Sequence, residues 1–176
     1  MPSKPIWQWS AVETAAAIRG GDITAQEAVE AAIARMADCN EAVNAVTVDL
    51  SGDAQQAARR ADDVQQSGGV LGPLHGVPIT IKENVDQSGQ ATTNGIPAFA
   101  GMIAGEDSPV VANLRKAGAI IIGRTNTPEF SVRWFTNNPL RGLTKNPWNE
   151  AVTPGGSSGG AAAAVALGIG ALAHGN

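Results

Sequence analysis

The sequence predicts an α/β fold, and three observations carry that prediction. Two S/T-x-x-E capping boxes open Ala-rich helical segments near the start of the chain. Val77, Ile79 and Ile81 alternate with Pro78, Thr80 and Lys82, which is the two-residue period of a strand. Farther on, Ser108-Pro109 opens a helix that runs into the apolar strand Ala119 to Gly123. Strand, helix and strand in that order imply a parallel pair joined by a right-handed crossover.

In Ser10-Ala-Val-Glu13 and Thr24-Ala-Gln-Glu27 a hydroxyl and a carboxylate satisfy free N–H groups at a helix start. Helices are therefore expected at about 10–19 and 24–38, separated by Gly20-Gly21. In the second, Ala28, Ala31, Ala32, Arg35 and Met36 would form one face. Val43 to Val48 reads as a strand, and residues 53–66 as a polar helix with a narrow Ala/Val stripe, ended by Ser67-Gly-Gly. Pro78 marks the strand that follows as an edge strand, or else as the start of one. A loop covers 83–107, and the helix from Ser108 ends at Gly118. From 124 to 154 Pro, Asn, Trp and Arg replace regular patterning, and so long an irregular stretch in a compact domain is usually functional or partly disordered. It delivers the chain to Thr153-Pro-Gly-Gly-Ser-Ser-Gly-Gly160 and then to Ala161 to Ala173, which as a helix is apolar all round and must be buried on every side.

Composition excludes several chemistries. The 176 residues carry a formal net charge of −4 and are 43% hydrophobic, enough for one core or a piece of a larger one. There is no Tyr, Cys39 is the one cysteine, and His75 and His174 are the two histidines, far apart in sequence. Disulfide frameworks, CxxC zinc sites and His-rich metal centres are excluded, so any catalysis must run through Ser, Lys, Asp, Glu or backbone groups. A pI near 5.1 argues against a broad nucleic-acid footprint. No apolar h-region opens the sequence and no apolar run spans a bilayer, so a soluble cytoplasmic protein is the expectation.

The Gly-rich loop at 155–160 precedes a helix, so free N–H groups and two hydroxyls converge there; a flexible linker is the plain alternative. It lacks the Lys-Ser/Thr pair of a P-loop. Lys82 closes an apolar strand beside Glu83 and Asn84. One reading is a solvent-facing lysine that guards a strand edge. The other requires a buried, neutral amine, because desolvation makes an ammonium lose its proton more readily. His75 in its turn and Cys39 after the second helix read as structural, and His174 has no evident partner. Trp7, Trp9, Trp134 and Trp148 are most simply packing anchors, although Trp134 lies in the long loop where it would border a pocket.

The combination is more specific than its parts. Gly72 to Asn84 (GPLHGVPITIKEN), Asn146-Pro-Trp148 and Thr153 to Gly160 resemble the amidase signature family in order and spacing. Gly123-Arg-Thr-Asn126, Glu129-Phe130 and the leading helices are similar to the family as well. The resemblance covers essentially the whole chain. It implies an α/β fold of amidase-signature type, a mixed central sheet covered by helices on both faces. Residues 1–176 would be its N-terminal part, a helical lead-in over about 1–70 and the start of the catalytic core over about 71–176.

The same resemblance implies a hydrolase of small or aryl carboxylic amides, working through a Ser–Ser–Lys triad and an acyl-enzyme without metal or cofactor. Lys82 matches the catalytic lysine, and Ser157 the bridging serine, which usually follows a cis peptide bond. Ser131 and Ser157 are the implied substrate contacts, and Phe130 to Thr136 should border the acyl pocket. There Arg133 and Trp134 fit an aromatic or anionic ligand, and equally a surface salt bridge and a packing Trp. Arg141 stands where many members carry Phe. The nucleophile motif G-x-D-x-G-G-S is matched only by Gly175-Asn176, which places the nucleophilic serine at about position 181, outside this sequence. The 176 residues alone are thus expected not to hydrolyse amides. The implied partner is a small-molecule amide, with no membrane and with a homodimer among the allowed assemblies. Two other functions compete: the amidase subunit of a tRNA-dependent amidotransferase, and a non-catalytic anion-binding fragment or pseudoenzyme.

Overall fold

Both capping boxes form in the computed structural model, which describes residues 4–176. Glu13 N donates to Ser10 Oγ at 3.2 Å while Ser10 N donates to Glu13 Oε2 at 2.7 Å, opening α1 (Ala11–Gly20). That backbone bond and the Ser10 hydroxyl, with Lys4 nearby, hold the Glu13 carboxyl down to about 2. Thr24 and Glu27 repeat the arrangement at α2 (Ala25–Val43). This helix runs five residues beyond its expected end and stops where Asn44 takes a left-handed φ of 57°. Its buried face includes Val29 with Ala28, Ala32 and Met36; Ala31 and Arg35 lie beside that face rather than on it. Arg35 turns aside to stack 4.2 Å over the Trp7 ring and to donate to Leu167 O at 2.7 Å.

The polar helix α3 (Ser51–Gln66) buries Ala54, Ala58 and Asp62. Asp62 accepts the backbone N–H groups of Ala25 at 2.7 Å and Gln26 at 3.2 Å, so one helix caps the N-terminus of another. Ser108 stands at the N-cap of α4 (Pro109–Lys116) without a side-chain cap bond; the proline at the first position opens this helix instead.

Four strands form the main sheet, in the order β1 (Val46–Asp49), β3 (Ile120–Thr125), β2 (Pro78–Lys82), β6 (Leu172–Ala173). Strands β2 and β3 run parallel, as the strand–helix–strand order implied, and so do β2 and β6, whereas β1 is antiparallel to β3. The sheet is therefore mixed. On one face Ile120 and Ile122 pack with α2, α3 and α5 (Gly159–Leu167); on the other Val77, Ile79, Ile81 and Ile121 pack with Ala15 of α1 and Val111 of α4.

Two expectations change here. β2 is no edge strand in this sheet: it sits between β3 and β6, all five of its residues are buried, and Pro78 is tolerated because it comes first. The apolar tail is not one helix buried all round. α5 ends at Leu167, where Gly168 adopts φ 77°, and a turn leads into β6. Val165 is 46% exposed. The stretch 124–154 contains a small hairpin, β4 (Asn137–Asn138) with β5 (Gly142–Leu143).

Candidate active site

Lys82 ends β2 with its side chain fully buried, so it is not the solvent-facing lysine of the first reading. Its Nζ lies 2.9 Å from Ser157 Oγ, 3.1 Å from Ser158 Oγ, 2.9 Å from Asn176 Oδ1 and 3.4 Å from Asn176 O. The two hydroxyls and the Asn176 amide are neutral, and among the described residues no Asp or Glu side chain is ion-paired with the nitrogen. Burial without a counter-charge pushes the Lys82 ammonium down to about 8. A neutral amine keeps two donors and gains a lone pair, so it can accept a proton from the Ser157 hydroxyl.

The loop that brings Ser157 to Lys82 is held by close backbone packing. Thr136, fully buried, accepts from Gly159 N at 3.0 Å and donates to Gly155 O at 3.0 Å, clamping the loop on both sides of Ser157. A methyl group on Gly156 would lie 2.6 Å from Arg133 O and from Phe135 N. One on Gly160 would lie 2.5 Å from Asn126 N. The glycines are present because neighbouring backbone occupies the space of a Cβ, which argues against the linker reading. The Gly156–Ser157 peptide bond is cis.

Ser131 reaches the same place from the long loop. Its Oγ accepts from Asn84 Nδ2 at 3.1 Å and lies 2.9 Å from Thr127 Oγ1. Asn84 also donates to Asn176 Oδ1 at 3.1 Å. A depression of about 360 Å³ opens beside these groups, lined by Ser131, Val132, Arg133, Trp134, Ser157 and Asn176. Phe130 and Ser131 both have positive φ, 49° and 60°, which turns the chain sharply at the rim.

The structure separates the remaining candidates. Arg141 is not among the residues lining the depression. Its Nε and Nη2 donate to Glu83 Oε1 at 3.1 and 3.0 Å, and Glu83, fully buried, also accepts from Thr47 and Thr93. His75 is buried with Nε2 3.1 Å from Ala61 O. His174 donates its backbone N–H to Thr80 O at 2.9 Å, and burial together with the Lys82 charge pushes its imidazole down. Cys39 donates to Arg35 O at 2.9 Å. Trp9 is buried as a packing anchor, whereas Trp134 and Trp148 are 88% and 80% exposed.

Sequence reasoning did not single out Asn84, Thr127 or Thr136. Asn84 carried only the signal of its closeness in sequence to Lys82, because β2 ends at Lys82 and a turn, not an extended strand, brings Asn84 to the site. Thr136 carried none, because its role depends on two loops meeting.

Residues 27–176 match the Amidase family. The chain is 63% identical over 175 residues to an indoleacetamide hydrolase of Bradyrhizobium diazoefficiens, covering 99% of this chain and 33% of that protein. It is 41% identical over 158 residues to one of the glutamyl-tRNA(Gln) amidotransferase subunits of Lachnospira eligens, covering 90% of this chain and 31% of that one. The solved structure of a bacterial aryl acylamidase of the amidase signature family superposes with a TM-score of 0.90 at 32% identity, over 95% of this chain and 35% of the other. The chain thus spans about a third of the length of the curated relatives it matches.

Proposed function

The chain belongs to the amidase family, and on that premise we propose that it carries the proton-relay half of an active site that hydrolyses a small or aryl carboxylic amide. Neutral Lys82 takes the proton of Ser157, and Ser157 takes that of a nucleophilic serine supplied by sequence beyond residue 176. The serine oxygen bonds to the amide carbon, the C–N bond breaks, and the amine leaves with a proton returned by the relay. Water then attacks the acyl-enzyme by the same route and releases the carboxylic acid. Ser131, held by Asn84 and Thr127, contacts the substrate together with Ser157. The observation that carries the reading is the buried Lys82 Nζ 2.9 Å from Ser157 Oγ, with no Asp or Glu side chain paired to it among the described residues.

The nucleophile and the donors that stabilise the oxyanion lie outside residues 1–176 in this reading, so this segment alone turns over no amide. A cytoplasmic location and assembly as a homodimer belong to the same proposal. The test is trapping of the acyl-enzyme in the full-length protein. Wild type should accumulate a hydroxylamine-sensitive adduct with an aryl amide, and Lys82→Ala and Ser157→Ala should each lower kcat/KM by about 10³-fold or more. Full activity in either variant would refute the relay.

A second reading, the amidase component of a tRNA-dependent amidotransferase, is supported by the 41% identical relative. The 63% identity to a hydrolase favours the first. Glutamine hydrolysis that depends on a co-purifying partner, without turnover of aryl amides, would reverse that order. Anion binding that survives both Lys82→Ala and Ser157→Ala would instead favour a non-catalytic role.

A further inference from the structure

One hydroxyl fixes both ends of the short arch that carries Ser157. Thr136 Oγ1 donates to Gly155 O and accepts from Gly159 N, both at 3.0 Å, so the residues on either side of Ser157 meet at a single oxygen. Gly159 is the first residue of α5, and Ser158 at the N-cap makes no side-chain cap bond. Thr136 therefore supplies the acceptor that one of the free N–H groups of this helix start would otherwise lack. A methyl on Gly159 would collide with Thr136 Oγ1, so the glycine is what admits the hydroxyl.

Thr136 is itself held from behind. Thr144 N donates to Thr136 O at 2.9 Å, and the Thr144 hydroxyl donates to Asn44 O at 2.7 Å and accepts from Asn126 Nδ2 at 3.0 Å. Thr136, Asn126 and Thr144 are all fully buried, so further chain can cover this network but has no exposed group of it to meet. Thr136 is not among the residues lining the depression either, and it offers no contact to a substrate. We infer that Thr136 is a positioning residue, whose hydroxyl holds Ser157 Oγ at the distance from Lys82 Nζ that proton transfer requires. This rests on the relay proposed above and adds the group that sets its geometry.

A hydroxyl donates and accepts at once, which no apolar side chain of the same shape can do. Without it Gly159 N is buried with no partner and Gly155 O loses its donor, so the loop must shift to find others. A shift of about 1 Å at a reacting group costs about 10²-fold in rate. The loss falls on proton transfer. An amine leaves only with a proton that Ser157 returns, whereas 4-nitrophenolate leaves as a stable anion without one.

The test compares 4-nitroacetanilide with 4-nitrophenyl acetate in the full-length protein. Thr136→Val keeps the shape and removes the hydroxyl. It should lower kcat for the anilide about 10²-fold with KM within about threefold, and lower kcat for the ester by less than about tenfold. Thr136→Ser should stay within about threefold of wild type on both. Equal losses on anilide and ester, or an unchanged kcat in Thr136→Val, would overturn the inference. So would a Thr136→Ser variant as slow as Thr136→Val, because the methyl rather than the hydroxyl would then matter. If Thr136→Val does not fold, Thr136→Cys, with a weaker donor and acceptor in the same place, is read by the same anilide-to-ester comparison. Absence of Ser157-dependent anilide turnover in wild type would refute the relay and this inference with it; the other results overturn the inference alone.

Discussion

Replacing Lys82 by Met keeps an unbranched stem in the same space and removes the ammonium. Burial lowers the Lys82 pKa from 10.5 to about 8, so the charged form is disfavoured in the folded protein by about 3 kcal/mol. The sign follows from proton binding. Between pH 8 and 10.5 the unfolded chain holds the Lys82 proton and the folded chain does not, so stability rises with pH across that window. Below about pH 8 both states are charged and the cost of burial is felt in full. Hydrogen bonds to Ser157, Ser158 and Asn176 offset part of it, at about 1 kcal/mol each. At pH 7 the Met variant should therefore be close to wild type in stability or somewhat above it. The difference between the two should then move by about 2–3 kcal/mol in favour of wild type as the pH rises from 7 to 10.

Urea unfolding of both full-length proteins at pH 7, 8.5 and 10 measures this, and subtraction removes the titrations that the two share. A difference that does not change with pH would refute the account of Lys82. Activity supplies the second arm. With a pKa of about 8, roughly a tenth of Lys82 is neutral at pH 7, against fewer than about one in a thousand for an ordinary lysine. Wild-type kcat/KM should accordingly rise about tenfold from pH 7 to a plateau near pH 9.

Glycine substitutions separate steric from conformational roles. Gly160→Ala should destabilise the full-length protein by about 1–3 kcal/mol, because its Cβ would meet Asn126 N, Asn126 O and Ala45 O, all backbone atoms within 2.8 Å. Gly52→Ala, in α3 with nothing within 4 Å, should stabilise by about 0.5–1 kcal/mol. The opposite signs are read by chemical denaturation, and equal effects would count against the packing argument. Arg141→Ala removes the charged partner of a fully buried carboxylate and should cost about 3–5 kcal/mol. Adding Glu83→Gln should recover much of that loss, and a cost below about 1 kcal/mol would mean that water already screens the pair.

How far the sequence could be read differs from residue to residue. Both capping boxes were legible because their partners lie three residues apart, so local geometry decides them. The strand at Val77 to Lys82 was legible from its period. That all its residues are buried was not, because α5, which packs on this strand, and the GGSSGG loop, whose Ser157 and Ser158 meet Lys82, come from more than 70 residues farther along. The end of α5 escaped for a related reason. An apolar run carries no mark of where it stops being helical, and here the stop is Gly168 in a left-handed turn against Trp7.

By itself, then, the sequence determined the α/β class, the helix starts and, within these 176 residues, which residue types can take part in chemistry. It also supplied the motifs by which Lys82 and Ser157 could be named. Only the tertiary structure decided that these two, 75 residues apart, lie 2.9 Å from each other, and that Lys82 is buried without a counter-charge. It likewise sent Arg141 to Glu83 and Trp134 to the rim beside Ser157. Capping and periodicity are interactions within a few residues, and a sequence displays them directly. Desolvation and the pairing of distant side chains depend on which surfaces meet, and that is settled only when the sheet has its order and the helices have covered it.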